Sequence, residues 1–240
     1  MKDILQDIVA HTHALGFLSI VKVTGEDETT VDSMAEDRSV IMGATTNHRV
    51  AQGTFGMPNL DKLSLHLKNP EYQKDAKIDV VEAERNGEVI PTHIHFENAT
   101  GDFQNDYRFM NKAIIEEKLK TVKFKGANWN VSFSPSVAAI GRMKLQALAH
   151  SEEPTFNVSS NDGDLVFSFG DASTHAGSFV FEAGVEGALA HTWSWPVAQV
   201  QAILNLDGDK TMSISDQGAM QISVNSGLAN YDYILPAQSK

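Results

Sequence analysis

Cysteine is absent from this 240-residue chain. That excludes a disulfide framework, thiolate metal sites and a cysteine nucleophile, and it fits a reducing compartment. Long apolar runs are missing too, so nothing approaches the roughly 20 residues of a membrane-spanning helix. The opening MKDILQDIVAHTHAL breaks its apolar residues with Asp3, Gln6 and Asp7, unlike a secretory leader. A soluble, cytoplasmic protein is therefore expected. The common catalytic signatures are also lacking: there is no phosphate loop, no G-x-G-x-x-G, no G-x-S-x-G and no H-E-x-x-H. No nucleophile–base pair stands out, and the chain does not read as an enzyme or as the holder of a cofactor. Positive charge is scarce, with 19 Lys+Arg against 31 Asp+Glu and a net charge of −12. Such a field repels phosphate.

The charge is unevenly spread. Residues 1–110 carry a net −8 and residues 151–240 a net −9, whereas residues 111–150 carry +5. The basic stretch comprises Lys112, Lys118, Lys120, Lys123, Lys125, Arg142 and Lys144 against Glu116 and Glu117. One cationic segment thus lies between two acidic halves. With 42% hydrophobic residues the chain has ample material for a core, and disorder is not expected.

What is present is a repeat. GDFQNDYRF at 101–109 and GLANYDYIL at 227–235 share Gly-x4-Asp-Tyr-x-apolar. The segments before each copy match as well. A helical pattern over 3–15 (Ile4, Ile8, Thr12, Leu15) precedes strand-like runs FLSIVKV, TTVDSM, RSVIMGA and HRVAQGTF. A helix led by Pro58 follows, with Leu60, Leu63 and Leu67 on one stripe, and then AKIDVVEA, VIPTHIHF and DFQNDYRFM. In the second half a helix opened by Pro135 places Val137, Gly141, Leu145 and Leu148 on one face, which is expected to meet a sheet. Four strand-like runs follow, then the Pro-led WPVAQVQAILNL with Val197, Val200 and Leu204, and three closing strands. Period-2 alternation in the strands indicates antiparallel sheets with one face covered by helices. The predicted fold is α+β, two tandem duplicated domains at 1–110 and 121–240 joined by a connector at 111–120.

Candidate chemistry is thin. His93 and His95 share a strand face with Glu97 and could bind a metal as a hydrolase would, but exposed strand histidines are the simpler reading, and no metal is expected. His11 and His13 sit where helical geometry makes side chains two apart diverge. NDGD (161–164) and LDGD (206–209) read as hairpin turns, because neither has the spaced ligands of a calcium loop. Trp193 and Trp195 beside Pro196 read as core.

The tandem repeat, two helices per copy and the terminal YDYILPA (Tyr231, Tyr233, Leu235, Pro236) resemble the ring-shaped DNA sliding clamps. The pattern is most similar to the trimeric clamp of T-even-type phages, related in fold to proliferating cell nuclear antigen. The resemblance implies a homotrimeric ring with sheets outside and helices around a hole for duplex DNA, bound without sequence preference. It further implies a replicative polymerase tethered for processivity, an ATP-dependent loader, and a bacterial host cytoplasm if the protein is a phage's. The DNA-facing residues so implied are Lys120, Lys123, Lys125, Arg142, Lys144, Gln146, His150, Lys62 and Lys68. Helix 3–15 would turn Lys2, Gln6, Ala10 and His13 inward, and helix 196–206 offers Gln199 and Asn205 but no cation. A polymerase tail would meet Ile114, Ile115, Leu119, Leu235, Pro236 and Ala237. Subunits would meet along 102–109 and 177–183, through Phe103, Asn105, Tyr107, Phe109, Phe179 and Phe181. The competing reading is a β-rich phage structural or ligand-binding protein with no DNA role.

Overall fold

The computed structural model describes the chain apart from residues 86, 121–123, 172, 174, 239 and 240 and the side chain of Arg85. It forms two compact units, one of Met1–Val122 with Ser226–Tyr231 and one of Lys123–Asn225 with Asp232–Lys240.

In the first unit α1 (Lys2–Ala10) buries Ile4, Leu5, Ile8 and Val9, as the 3- and 4-residue spacing of their side chains requires. It ends earlier than the pattern implies. His11 turns its Nδ1 onto the Asp7 carbonyl at 2.9 Å, and a separate turn, His13–Leu15, closes on Gly16 at φ 84°. Strands β1 (Val21–Gly25), β2 (Thr29–Met34), β3 (Ile41–Thr46) and β4 (Gly53–Met57) form a sheet ordered β4-β1-β2-β3. Helix α2 (Leu60–Lys68) begins after Asn59, two residues past Pro58, and buries Leu60, Leu63 and Leu67. Strands β5 (Lys77–Arg85), β6 (Glu88–Glu97) and β7 (Gln104–Arg108) form an antiparallel meander. Helix α3 (Lys112–Lys118) follows, capped by the Asn111 side chain, which accepts from the Ile114 N–H. Ile115 is fully buried against Gly56, where a Cβ would lie 2.8 Å from its side chain. Glycine is what lets α3 close in. The segment 226–231 is held to α1 by a polar network, in which Ser226 Oγ and Tyr231 OH donate to Asp7 at 2.9 and 2.8 Å. His11 stacks on Tyr231 with ring centroids 4.2 Å apart.

The second unit repeats this plan. It contains β8 (Val131–Phe133), α4 (Val137–Ala149), β9 (Thr155–Asn161), β10 (Asp164–Phe169), β11 (Gly177–Glu182) and β12 (Trp193–Pro196). They are followed by α5 (Val197–Leu204), β13 (Asp209–Ser215), β14 (Ala219–Asn225) and the later part of β15 (Asn230–Pro236). Its four-stranded sheet is ordered β11-β10-β9-β12, so the first strand again pairs with the second and the fourth, as in the first unit. β13, β14 and β15 lie side by side like β5, β6 and β7, with β8 added outside β13. Trp195 is completely buried and donates its indole N–H to the Leu235 carbonyl at 3.1 Å, which makes it core. Asp162 and Gly163 take positive φ between β9 and β10, as a two-residue hairpin requires. The other Asp-Gly, 207–208, joins α5 to β13 and forms no hairpin, a correction to the sequence reading.

Helix α4 gives a larger correction. Its buried residues are Ala139, Met143 and Ala147, while Val137, Leu145 and Leu148 are 88%, 68% and 75% exposed. Gly141 lies on the same exposed face, so the helix is turned about half a revolution from the expected orientation. The sheet beneath is filled with rings: Phe167 stacks on Phe181 at 4.1 Å and Phe156 lies 4.8 Å from Phe167. Against this aromatic volume the helix sets two alanines and one flexible methionine rather than a row of leucines.

Candidate nucleic-acid interface

Each unit carries a pair of neighbouring helices over its sheets. Between α1 and α2 runs a groove of about 480 Å³, lined by Gln6, Ala10, His13, Ser64 and Lys68 among others. Between α4 and α5 runs its counterpart, about 620 Å³, lined by Lys144, Leu148, Glu153, Val197 and Gln199 among others. The grooves are weakly charged. Lys62 and Lys68 are exposed on α2, and Arg142 and Lys144 on α4, while Lys120 and Lys125 are exposed before β8. Lys123 lies outside the described residues. Lys2 is committed elsewhere, donating to the Tyr72 carbonyl at 3.0 Å and to Gln73 at 2.7 Å. Gln199 on α5 is half-buried and Asn205 is exposed.

Two expected contacts on α4 turn inward. His150 is buried, its Nδ1 on the Gln146 carbonyl at 2.9 Å and its ring stacked near Phe169. It closes the helix as His11 closes α1. Gln146 is half-buried, and a Cβ on Gly177 would lie 2.7 Å from its Oε1 and 2.5 Å from the His150 ring. Both side chains therefore press on the start of β11. Arg142 lies 5.8 Å from the Phe179 ring centroid, a cation–π contact that draws it toward β11. One cation escaped the sequence reading. Lys210 at the start of β13 shares a cleft with Ser134, Pro135, Val137 and Ile140 at the head of α4. Burial pulls its ammonium below the ordinary lysine range, against the opposing pull of Asp207 and Asp209. Its distance in sequence from the basic stretch hid it. On α2, burial and then the Lys62 charge lower His66.

The strands expected to join subunits are both sheet edges. β7 has β6 as its only strand neighbour and β11 has β10, among the described residues. Their side chains divide by face. Phe103 is exposed and Asn105 half-buried, donating to Tyr72 OH at 2.7 Å. Tyr107 is buried and donates its hydroxyl to the Pro58 carbonyl, and Phe181 is buried among the aromatic rings. Desolvation and then the charge of Asp61 push the Tyr107 hydroxyl well above the ordinary phenol range. Tyr107 and Phe181 are therefore core residues, which corrects their assignment to a contact. Phe109 packs 4.3 Å from Phe55, and Phe179 is half-buried. The free backbone of each edge is what these strands offer outward.

The other face of β6 and β7 carries polar side chains. Asp106 lies beside His95, with Nδ1 to Oδ1 at 2.8 Å, and His93 Nε2 is 3.5 Å from the same oxygen. The His95 bond, aided by the neighbouring His93 ring and the Arg108 charge, holds the Asp106 carboxyl below its usual range despite some burial. Glu97, the third residue of the metal reading, instead meets Lys77 at 2.7 Å. Among the described residues no group of three or more His, Asp or Glu side chains is placed to hold a metal ion.

Of the residues expected to meet a polymerase tail, Ile114, Pro236 and Ala237 keep surface, whereas Ile115, Leu119 and Leu235 are buried as packing.

No family model matches the chain, and no curated protein matches it. Solved structures do. The structure of PCNA from A. fulgidus with the C-terminal region of FEN-1 bound aligns at a TM-score of 0.69 and 12% identity, over 100% of this chain and 95% of that one. PCNA from Thermococcus kodakaraensis aligns at 0.68 and 10%, over 99% and 97%. Proliferating cellular nuclear antigen from Entamoeba histolytica aligns at 0.66 and 11%, over 99% and 94%. Identities this low bear on architecture alone, and at that level the conclusion is plain: over essentially its whole length this chain has the fold of proliferating cell nuclear antigen, α+β with antiparallel sheets and two tandem clamp domains.

Proposed function

We propose that the protein is a DNA sliding clamp, a non-enzymatic processivity factor. It closes as a homotrimer around duplex DNA and tethers a replicative polymerase, in the manner of the T-even-type phage clamps. The observation that carries this reading is the pair of free strand edges, β7 in one unit and β11 in the other, on a chain whose two units share one topology. A head-to-tail pairing of unlike edges generates a closed ring when the rotation closes. The helical pairs supply the surface toward DNA, with Lys62, Lys68, Arg142, Lys144 and Lys210 as its phosphate contacts, which position a duplex without reading its bases. Lys120 and Lys125 extend that surface, and Gln146 and His150 support it from beneath. Residues 111–120, which include α3, serve as the connector between domains, and a polymerase tail engages Ile114, Pro236 and Ala237. Loading requires an ATP-dependent opener.

Two measurements test this. Native mass spectrometry is expected to find three chains; a stable monomer at micromolar concentration would refute the ring. The double variant Lys68→Glu/Lys144→Glu should remain trimeric yet lose most of its processive synthesis on circular primed DNA. Unchanged synthesis would remove the helical surface from the reading.

A further inference from the structure

We propose that His93 and His95 make the β7 edge a proton-dependent contact surface for the acidic β11 edge of a second copy, so that association between copies tightens as the pH falls from 8 to 6. This rests on the ring reading above and adds a chemistry that the edge backbones alone do not have.

The two rings are set by their neighbours. Thr92 Oγ1 donates to the Val81 carbonyl at 2.9 Å, so toward His93 Nδ1, also 2.9 Å away, it is the acceptor. That places the proton of neutral His93 on Nδ1 and leaves the Nε2 lone pair facing Asp106 Oδ1 at 3.5 Å. His95 donates from Nδ1 to the same oxygen at 2.8 Å, and its Nε2 faces Glu97 Oε2 at 3.8 Å. In each ring the nitrogen without a proton looks at a carboxylate. A second proton on either ring finds an acceptor with no rearrangement, and imidazole takes that proton between pH 5 and 8.

The charged groups on this face come from all three strands. β5 brings Lys77 opposite Glu97 and Asp79 opposite His95, and β7 brings Asp106 and Arg108 opposite His95 and His93. With neutral imidazoles, the two cations Lys77 and Arg108 face the three carboxylates Asp79, Glu97 and Asp106. Protonating both rings turns one net negative charge into one net positive. The edge it would meet is of the opposite sign. Strands β9, β10 and β11 carry Asp164 and Glu182 and no Lys or Arg. Arg142 and His150 approach β11 from α4, on the side of Phe179 and Gly177. His150 lies beside Gly177 at the start of β11 and needs its own control.

Sedimentation of the full chain at pH 6, 7 and 8 in 0.1 M salt, repeated at 0.5 M, tests the inference. The wild type should associate roughly fivefold more tightly at pH 6 than at pH 8, the scale of two partly exposed charges gaining partners across a screened contact. Most of that difference should vanish at 0.5 M salt and in His93→Asn/His95→Asn. Glu182→Gln, on the opposite edge, should reduce it independently, while His150→Asn should leave it. A pH-independent wild type overturns the inference and leaves the ring standing. So does a double variant with the wild-type pH dependence, which would assign the effect to the general loss of the −12 charge. A monomer at every pH overturns the ring reading and this inference together.

Discussion

Asp216 shows how much of this molecule depends on single polar side chains that no local pattern announces. Its carboxylate accepts the backbone N–H of Ala190 at 2.8 Å and of His191 at 3.1 Å, and its own N–H donates to Asn130 Oδ1 at 2.9 Å. Burial pushes its carboxyl upward, but the bonds from Ala190 and His191, together with the Trp193 indole and the His191 charge, hold it below the usual range. The sign follows. A group depressed in the folded state contributes stability at pH values above its unfolded pKa and loses it as the pH falls through the folded one, so the window lies below about pH 4. Asp216→Asn should cost about 1–2 kcal/mol at pH 7, because its amide offers one acceptor oxygen where the carboxylate offers two, so one N–H bond is lost and the other is no longer charge-assisted. Its urea midpoint should fall less than the wild type's between pH 4 and pH 3; an equal fall would assign the acid sensitivity to Asp37, Glu97, Asp102 and Asp106, whose carboxyls are lowered too. Sequence could not reveal Asp216, because its partners lie 25 and 26 positions away. The same holds for His93 and Asp106, which become neighbours only when β6 and β7 pair. The helix-closing role of His11 and His150 had a local signal, a histidine just past an apolar-periodic run, and it went unused.

Elements were far more legible, since periodicity reports them directly. TTVDSM is β2 to the residue, and the Leu60, Leu63, Leu67 stripe is the buried face of α2. All three Pro-led helices exist, each beginning one or two residues after its proline. α3 was legible only as a charged connector, for seven residues with one buried isoleucine make a weak pattern. α4 failed for a different reason. It has two apolar faces, Val137-Gly141-Leu145-Leu148 and Ala139-Met143-Ala147, and helical spacing cannot choose between them. The choice is made by the aromatic sheet below, whose residues lie elsewhere in the chain. Truncation at the exposed face should therefore be mild. Leu145→Ser/Leu148→Ser is expected to keep stability within about 0.5 kcal/mol per site, as for other surface changes. Met143→Ala should cost about 2–4 kcal/mol through the cavity it leaves. Urea unfolding compares them directly, and the reverse ranking would restore the leucine face to the core.

At the scale of the whole molecule the tandem duplication was readable because both copies keep the same order of helices and strands, and the strand order β4-β1-β2-β3 recurs as β12-β9-β10-β11. Function is less direct, because net charge and the proposed clamp function pull in opposite directions. The chain carries −12, and its helical pairs offer only a few exposed cations, with Lys2 already tied to Tyr72 and Gln73. A protein held to DNA by 6–10 phosphate contacts loses roughly 10³–10⁵ in affinity between 50 and 200 mM salt. This chain cannot rely on that mechanism; a clamp built from it must be retained by topology, with electrostatics only centring the duplex. Retention on nicked circular DNA, once loaded, is accordingly expected to change little between 0.1 and 0.5 M salt, while linear DNA of the same length loses the protein at both. Gel filtration of the loaded complexes after restriction cutting measures this. Equal loss from circular and linear DNA, following the steep salt dependence of phosphate contacts, would mean that the protein binds DNA by charge along an open surface, and the ring would have no part in holding it.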